Sequence, residues 1–260
     1  MWHELRLFLI ALQFMTRVPV PRWVGFEPGW LLDSTRHFPG VGLLVGGVGA
    51  ATLAAAAHLW PAMVAVLLSM AVTMWMTGAF HEAGLTATAD GLGGAFARER
   101  SLAIMKDARL GARGTATLVL ALALKASVLL ALALRDLELV LIALPLAHCW
   151  SRGAPLLLAR WLRPAEASEP EASTPFAQPP PGGAMAMAAA WAAIAGVTGS
   201  ALGVETAALW KAALASLLVA WLARRWLAQR LGGFTGSTLG ATQQVCEVMI
   251  YLVLLATVSR

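Results

Sequence analysis

Seven long apolar segments constrain this chain more than any other feature of its sequence. A transmembrane helix needs about 17–25 predominantly apolar residues. Segments of that length fall at 40–59, 62–80, 115–134, 137–158, 184–203, 206–223 and 240–258. Only 13% of the residues are charged, against about 25% in a soluble domain. We therefore predict an all-α polytopic integral membrane protein, a helical bundle of about seven transmembrane helices in a single domain, 1–260.

Two segments depart from a simple span. Residues 5–15 form a short apolar run, and no small-residue cleavage site follows it before Arg17. A signal peptide would be expected to end at such a site, so we predict a retained amphipathic helix ahead of the bundle. The segment 137–158 contains Pro145 and Pro155, and whether it is continuous stays open.

The connections between the apolar segments are of two kinds. Those at 81–114, 159–183 and 224–239 are long and basic, whereas the others are a few residues long. Cytoplasmic connections carry an excess of lysine and arginine. If the long connections are cytoplasmic, that face holds most of the 19 lysines and arginines, and the net charge of +5 needs no nucleic-acid partner. The proline-rich part, 164–182, is predicted to be a flexible linker.

The first long connection is the most polar stretch of the chain. Positions 81–114 read HEAGLTATADGLGGAFARERSLAIMKDARLGARG. Its carboxylates are oxygen donors that suit a hard cation, and its arginines suit phosphate. At helical spacing Asp107 and Arg100 lie two turns apart on one face, so the two groups can point the same way. A structural interpretation is also open, because Asp90-Gly91 is by itself a turn signal.

Polar residues also occur within the apolar segments. A cluster at 232–247, GGFTGSTLGATQQVCE, ends in Glu247 inside the last segment. A carboxylate there is costly and is a functional candidate by default. The alternative is an interfacial residue that reaches water. Lys125 either pairs with a carboxylate or reaches a polar cavity, and we interpret His148 as a packed histidine.

Four motifs together resemble one known family. They are LQFMTRVPVP at 12–21, FPGVGLLVG at 38–46, the stretch from Phe80 to Gly114, and the cluster at 232–247. In this order they are similar to motifs of the cobalamin synthases, the adenosylcobinamide-GDP ribazoletransferases, over nearly the whole chain. The resemblance implies a multi-pass enzyme of the bacterial inner membrane with its active site facing the cytoplasm.

The resemblance also implies a reaction. A ribose hydroxyl of α-ribazole, or of its 5′-phosphate, attacks the phosphoryl group attached to the cobinamide of adenosylcobinamide-GDP. GMP leaves, and Mg²⁺ is the cofactor. Displacement at a diphosphate needs a metal to neutralise charge, carboxylates to hold it and arginines for the remaining oxygens. The residue types of the first connection are of this kind, so the resemblance and the chemistry agree.

The motifs and these residue types give a candidate site. Glu82, Asp90 and Asp107 are the predicted metal ligands. His81 is the predicted acceptor of the ribose hydroxyl proton, because a base near neutral pKa suits that step. The predicted substrate contacts are Arg17, Arg100, Lys106, Arg109, Thr235, Thr238 and Glu247. The oligomeric state stays open, with a homo-oligomer among the alternatives.

The chain departs from the family pattern at three acidic positions. Ala83 and Ala87 stand where the family has aspartate in its central motif, and Ser237 stands where it has aspartate in its closing motif. The neighbouring residues are kept, which chance drift would not explain. We hypothesise an active-site-substituted form of low or no activity, deliberate at least at the two alanines. Whether the substitutions are engineered or natural stays open.

Two other functions are considered. A CDP-alcohol phosphotransferase of membrane lipids also uses an Asp-Gly-rich helical motif, but its Asp-Gly…Ala-Arg…Gly…Asp…Asp spacing is absent from this sequence. A transporter or non-catalytic membrane component of the corrinoid pathway is the second alternative. The sequence shows no matched pair of Gly/Pro-broken spans of the inverted-repeat kind.

Overall fold

Helices account for almost all of the described chain. The structure, a computed structural model, describes residues 2–94, 97–107, 109–165, 175–176 and 178–257. Their α-helices are α1 (Trp2–Met15), α2 (Pro28–Ser34), α3 (Phe38–Ala57), α4 (Ala62–Thr77), α5 (Phe80–Leu92), α6 (Arg98–Lys106), α7 (Ala112–Arg135), α8 (Leu137–Ser151), α9 (Gly153–Trp161), α10 (Gly182–Ala201), α11 (Thr206–Leu231) and α12 (Gly236–Thr257). Short 3-10 helices cover Arg22–Val24 and Thr35–His37. The predicted all-α class is confirmed.

The predicted spans correspond to helices. Among the described residues, six helical stretches are long and apolar enough to cross a membrane: Gly29–Ala57, Ala112–Arg135, Leu137–Trp161, Gly182–Ala201, Thr206–Leu231 and Gly236–Thr257. A seventh is added if α4 and α5, which bend by 86° at their junction, count as one span. The prediction of a polytopic bundle with about seven spans is therefore confirmed, and α1 precedes these spans as a separate helix of 14 residues.

Two spans differ from the prediction in detail. The segment predicted at 137–158 is interrupted at Arg152, between α8 and α9. Helix α11 continues to Leu231, well beyond the predicted end of the segment 206–223. Its last turns are basic, and arginine is a good helix former whose long stem can lie along apolar surface while its charge reaches water. The connection predicted at 224–239 is therefore mostly helical.

A sharp bend separates α5 from α4. Gly78 and Ala79 both adopt left-handed backbone angles, with φ of 68° and 56°. Glycine reaches this conformation without steric cost because it has no Cβ. Next to the bend, the backbone N–H of Arg17 donates to the carbonyl of Met76 over 2.8 Å. The stretch predicted as a catalytic loop, 81–114, therefore contains two helices, α5 and α6.

The long connections meet at one end of the bundle. Arg98 donates through Nε to the carbonyl of Leu231 over 2.8 Å, and Arg230 donates to the carbonyl of Gly94 over 2.7 Å. An isolated β-bridge joins Pro164 to Phe234. These contacts tie the first connection to the end of α11, and the second connection to the turn before α12. Most of the flexible linker predicted at 164–182 lies outside the described residues.

Candidate active site

A cavity of about 460 Å³ opens between α5, the segment joining α6 to α7, and the start of α12. Its lining residues are Phe80, Ala83, Gly84, Thr86, Ala87, Asp90, Ile104, Met105, Lys106, Asp107, Arg109, Leu110, Gly236 and Ser237. Four residues predicted for the site therefore line the same cavity: Asp90, Lys106, Asp107 and Arg109. The three substituted positions also line this cavity.

One face of α5 forms the floor of the cavity. Ala83, Ala87 and Asp90 follow one another at spacings of four and three residues, which places them on one side of an α-helix. Ser237, the second residue of α12, lines the cavity from the other helix. The two helices cross closely because Gly84 has no side chain: a Cβ there would lie 2.7 Å from the carbonyl oxygen of Ser237.

Asp90 fastens the start of α7 to α5. Its carboxylate accepts hydrogen bonds from the backbone N–H groups of Gly111 and Gly114, each over 2.8 Å. These N–H groups belong to the first turn of a helix, which has no intrahelical acceptors for them and attracts negative charge. A Cβ at either glycine would collide with the carboxylate. The two glycines therefore let Asp90 approach the helix end.

Asp107 and Arg109 form an ion pair on the cavity wall. Arg109 donates to Asp107 through Nη2 over 2.7 Å and through Nε over 3.1 Å, and its backbone N–H donates to the same carboxylate over 3.0 Å. The hydrogen bonds from the Arg109 side chain hold the pKa of Asp107 at about 2. The carboxylate is therefore ionised at all physiological pH values. Both side chains are solvent-accessible, so a substrate can reach them.

Two carboxylates of the cavity are donors of the kind that would hold a magnesium ion together with substrate phosphates. Mg²⁺ is usually held by one or two carboxylates together with water and substrate phosphates. Asp90 and Asp107 supply two carboxylates to one cavity. Among the described residues, no group of three or more His, Cys, Asp and Glu side chains has a metal-binding arrangement. Ala83, Ala87 and Ser237 bring no carboxylate to the cavity.

Comparison with known proteins gives the family. The family model described as cobalamin-5-phosphate synthase matches residues 7–255. The chain belongs to this family. A relative from Leptothrix cholodnii is 52% identical over 98% of this chain and 97% of its own. Relatives from Shewanella amazonensis and Polaromonas naphthalenivorans are 41% and 39% identical over 97% of this chain, and over 96% and 98% of their own. Each is named adenosylcobinamide-GDP ribazoletransferase, and no solved structure matches the chain.

The predicted family resemblance is thus confirmed. One of the three predicted metal ligands, Glu82, lies apart from the other two. It precedes Ala83 on α5, does not line the cavity and is buried, with 7% of its surface exposed. Gln244 of α12 donates to Glu82 Oε1 over 3.2 Å. The structure therefore does not bring Glu82 into the cavity that Asp90 and Asp107 line. Residues 82 and 90 are eight apart, which turns their side chains by only about 80° around α5, so helical spacing alone does not separate them.

His81 and Glu247 also lie outside the cavity. His81 is 4% exposed and is not among the cavity residues, so its predicted contact with a ribose hydroxyl is not supported by its position. Glu247 is 1% exposed and pairs with Lys125 of α7. His148 Nε2 lies 3.5 Å from the same carboxylate. The predicted substrate contact of Glu247 is replaced by a buried ion pair, which is one of the two roles considered for Lys125.

The remaining predicted substrate contacts lie around the cavity and not in its lining. Arg17 lies beside the α4–α5 bend, where its guanidinium approaches Gly78. Arg100 is exposed on α6 and does not line the cavity. Thr235 and Thr238 cap α12 with reciprocal hydrogen bonds of 2.9 and 3.3 Å, next to Gly236 and Ser237. Neither threonine lines the cavity, so their hydroxyls hold the first turn of α12, which carries Gly236 and Ser237.

Sequence reasoning did not single out two buried amides behind the cavity. Gln243 and Gln244 are 0% and 5% exposed, and both donate hydrogen bonds to other buried side chains. The sequence did contain a pattern that indicates this pair of buried amides. Two consecutive glutamines within an apolar span need buried partners, because an unsatisfied amide in the membrane interior is costly.

Proposed function

We propose that this chain joins α-ribazole, or its 5′-phosphate, to adenosylcobinamide-GDP and releases GMP, with the diphosphate bound in the cavity between α5 and α12. The observation that carries the proposal is the convergence of distant motifs. Positions 83, 87, 90, 107 and 237 are spread over 155 positions of the sequence, and all line one cavity. Each is an acidic position in this chain or in the family pattern, and a diphosphate-binding metal site requires such a concentration.

The cavity residues have complementary tasks. Asp90 and Asp107 would hold Mg²⁺, which would neutralise charge on the diphosphate during displacement. Arg109 can exchange its bond to Asp107 for a phosphate oxygen, since guanidinium binds carboxylate and phosphate with the same planar fork. Lys106 adds a second cation to the wall. Phe80 and Leu110 supply apolar surface at the rim, where 46% and 66% of their surfaces are exposed.

We further propose that the chain as given has low activity. The α5 floor offers methyl groups at Ala83 and Ala87, and the α12 wall offers a hydroxyl at Ser237, where the family has carboxylates. Two carboxylates can hold a metal with substrate, so the substitutions weaken metal binding without removing the phosphate-binding residues. Substrate binding should therefore survive better than turnover.

The test is restoration of the acids. In membranes supplied with both substrates, the variant Ala83→Asp/Ala87→Asp/Ser237→Asp should release GMP at least about tenfold faster than the parent, a change of roughly 1.4 kcal/mol in the barrier. The gain should require Mg²⁺. The restored variant with Asp90→Asn and Asp107→Asn is the control and should lose it. No increase in GMP release after restoration would refute the proposed site.

The same assay separates the alternatives. A CDP-alcohol phosphotransferase would release CMP from a CDP-alcohol and leave adenosylcobinamide-GDP intact. A transporter or non-catalytic pathway component would bind the corrinoid without turnover even after the three aspartates are restored. We expect GMP release with cobinamide-GDP only.

A further inference from the structure

A chain of buried polar side chains lies behind the cavity floor, outside the residues that line the cavity. Glu247 and Gln243 of α12 join through Gln243 Nε2 and Glu247 Oε2 over 2.8 Å. Gln244 Nε2 donates to Gln243 Oε1 over 2.9 Å and to Glu82 Oε1 over 3.2 Å. Lys125 completes the chain through its ion pair with Glu247. These five residues, the buried polar chain, are all at most 7% exposed.

The buried polar chain links four helices. Glu82 belongs to α5, Lys125 to α7, and the two glutamines and Glu247 to α12. Gln243 also donates to the hydroxyl of Ser151 on α8 over 2.9 Å. In a membrane interior water does not compete for these groups, and unpaired charges are costly. Each helix is therefore held at the position where its polar group meets a partner.

The hydrogen bond between Gln244 and Glu82 lies beside the crossing of α5 and α12. The two helices touch through glycines, and the Cα of Gly84 would lie 3.3 Å from a Cβ built on Gly240. Glycines allow the two backbones to approach closely, and a side-chain hydrogen bond beside them adds a directional contact between the helices. Gln244 lies one turn after Gly240, and Glu82 lies two residues before Gly84. Their hydrogen bond is therefore placed to set the register of the crossing.

We propose that the Gln244–Glu82 hydrogen bond, supported by the rest of the buried polar chain, is the positioning device of the cavity. This hydrogen bond joins the two helices that form the α5 floor and the α12 wall of the cavity. Residue 83, next to Glu82, belongs to the α5 floor, and Ser237, two turns before Gln244, belongs to the α12 wall. In this role Glu82 acts through its hydrogen-bond acceptor and not as a metal ligand.

The test measures the cavity directly. Nitroxide labels on Ala87→Cys and Ser237→Cys report the distance between the α5 floor and the α12 wall by pulsed electron spin resonance. The native Cys149 and Cys246 are each 0% exposed, so they should not take up label in the folded protein. Gln244→Met keeps the length of the side chain and removes the hydrogen bond. We expect it to widen the distance distribution roughly twofold, because α5 then samples more positions.

A matched pair at Glu82 distinguishes the hydrogen bond from the charge. Glu82→Gln and Glu82→Met both remove the charge, but only glutamine keeps an acceptor for Gln244. Glu82→Gln should retain the parent distribution, and Glu82→Met should reproduce the broadening. Thr242→Val is the control on the same helix, since among the described residues the Thr242 hydroxyl bonds only to the carbonyl of Thr238, over 2.8 Å. It should leave the distribution unchanged.

Several outcomes would overturn the inference. An unchanged distribution in both Gln244→Met and Glu82→Met would show that the hydrogen bond does not position the walls. Equal broadening in Glu82→Gln and Glu82→Met would show that charge, not the hydrogen bond, holds α5. If Gln244→Met does not fold, Glu82→Met removes the same bond from the other helix and decides the question.

A second readout rests on the proposed function. In the background with aspartate restored at 83, 87 and 237, Gln244→Met should lower kcat about tenfold with little change in KM, because misplacement of reacting groups by about 1 Å can cost up to 100-fold. An equal loss through KM would instead indicate a substrate-binding role. The label distances do not depend on activity, so failure of the proposed reaction leaves them as an independent test.

Discussion

At the residue scale, the site is held together by backbone contacts that side-chain patterns do not reveal. Asp90 was predicted as a metal ligand, and its carboxylate is also the acceptor for the first N–H groups of α7. A carboxylate oxygen has two lone pairs, so one oxygen can accept an N–H group and still bind a metal. The glycines of the Gly111–Gly114 turn are then part of the site, because they let the carboxylate approach.

The first prediction concerns this turn. Gly114→Ala should destabilise the protein by about 1–3 kcal/mol, because the added methyl group overpacks the contact with Asp90. A Cβ at Gly114 would also lie 2.8 Å from the carbonyl oxygen of Thr86. Thermal unfolding in detergent measures the change. Gly183→Ala on α10 is the control, since its Cβ would meet nothing within 4 Å. Equal unfolding temperatures for the two variants would contradict the prediction.

The second prediction concerns protonation. Arg109→Met should raise the pKa of Asp107 from about 2 towards the ordinary value of about 3.9. The folded pKa is depressed, so any stabilisation from the pair is complete above the ordinary value and disappears as the pH falls through 2. The pair is exposed and contributes little to stability, so carboxyl NMR titration is the suitable measurement. Arg224→Met, which alters a residue stacked on Trp161, should leave the Asp107 titration unchanged.

At the element scale, hydropathy predicted the spans well and the helices of the site poorly. An apolar run long enough for a bilayer has few alternatives, so the segments near 115–134 and 240–258 appear as α7 and α12. Helix α5 contains His81, Glu82, Asp90, two threonines and two glycines and follows a bend, so its composition resembles that of a loop. Hydropathy therefore assigned positions 81–114 to a connection, although α5 is 13 residues long.

The sequence also predicted only part of the way in which the site residues group in space. Lys106, Asp107 and Arg109 were placed together correctly because they are close in sequence. Glu82 and Asp90 lie on one helix, and which of them faces the cavity depends on how α5 crosses α12. That crossing is set by Gly84 and by tertiary contacts that periodicity does not encode.

The third prediction concerns the bend before α5. Gly78 has φ of 68°, and a Cβ there would lie 3.0 Å from Nε of Arg17. Gly78→Ala should therefore cost about 1–2 kcal/mol of stability through backbone strain. Ala79→Gly is the matched variant: it relieves the same kind of strain at φ 56° but increases the entropy of the unfolded chain, so its net effect should stay below about 1 kcal/mol. Thermal unfolding that ranks the two variants in reverse order would contradict this account of the bend.

At the scale of the whole molecule, the long connections meet at one end of the bundle and the short ones lie between the opposite ends of the spans. The cavity belongs to the end with the long connections, together with Arg98 and Arg230. Positive charge concentrates on the cytoplasmic side of membrane proteins. The substrates of the proposed reaction are charged and would reach a cavity on that side without crossing the bilayer.

The fourth prediction therefore concerns the side of the membrane on which the cavity opens. Leu110→Cys, at the cavity rim, and Leu59→Cys, in the connection between α3 and α4, replace side chains that are 66% and 72% exposed. In cells, a membrane-impermeant maleimide should label position 59 from outside and position 110 only after the membrane is opened. The parent, whose Cys149 and Cys246 are buried, should stay unlabelled in both conditions. Labelling of position 110 in intact cells would place the cavity on the outer face. Charged substrates made in the cytoplasm would then have to cross the membrane first, and the proposed cytoplasmic reaction would be wrong.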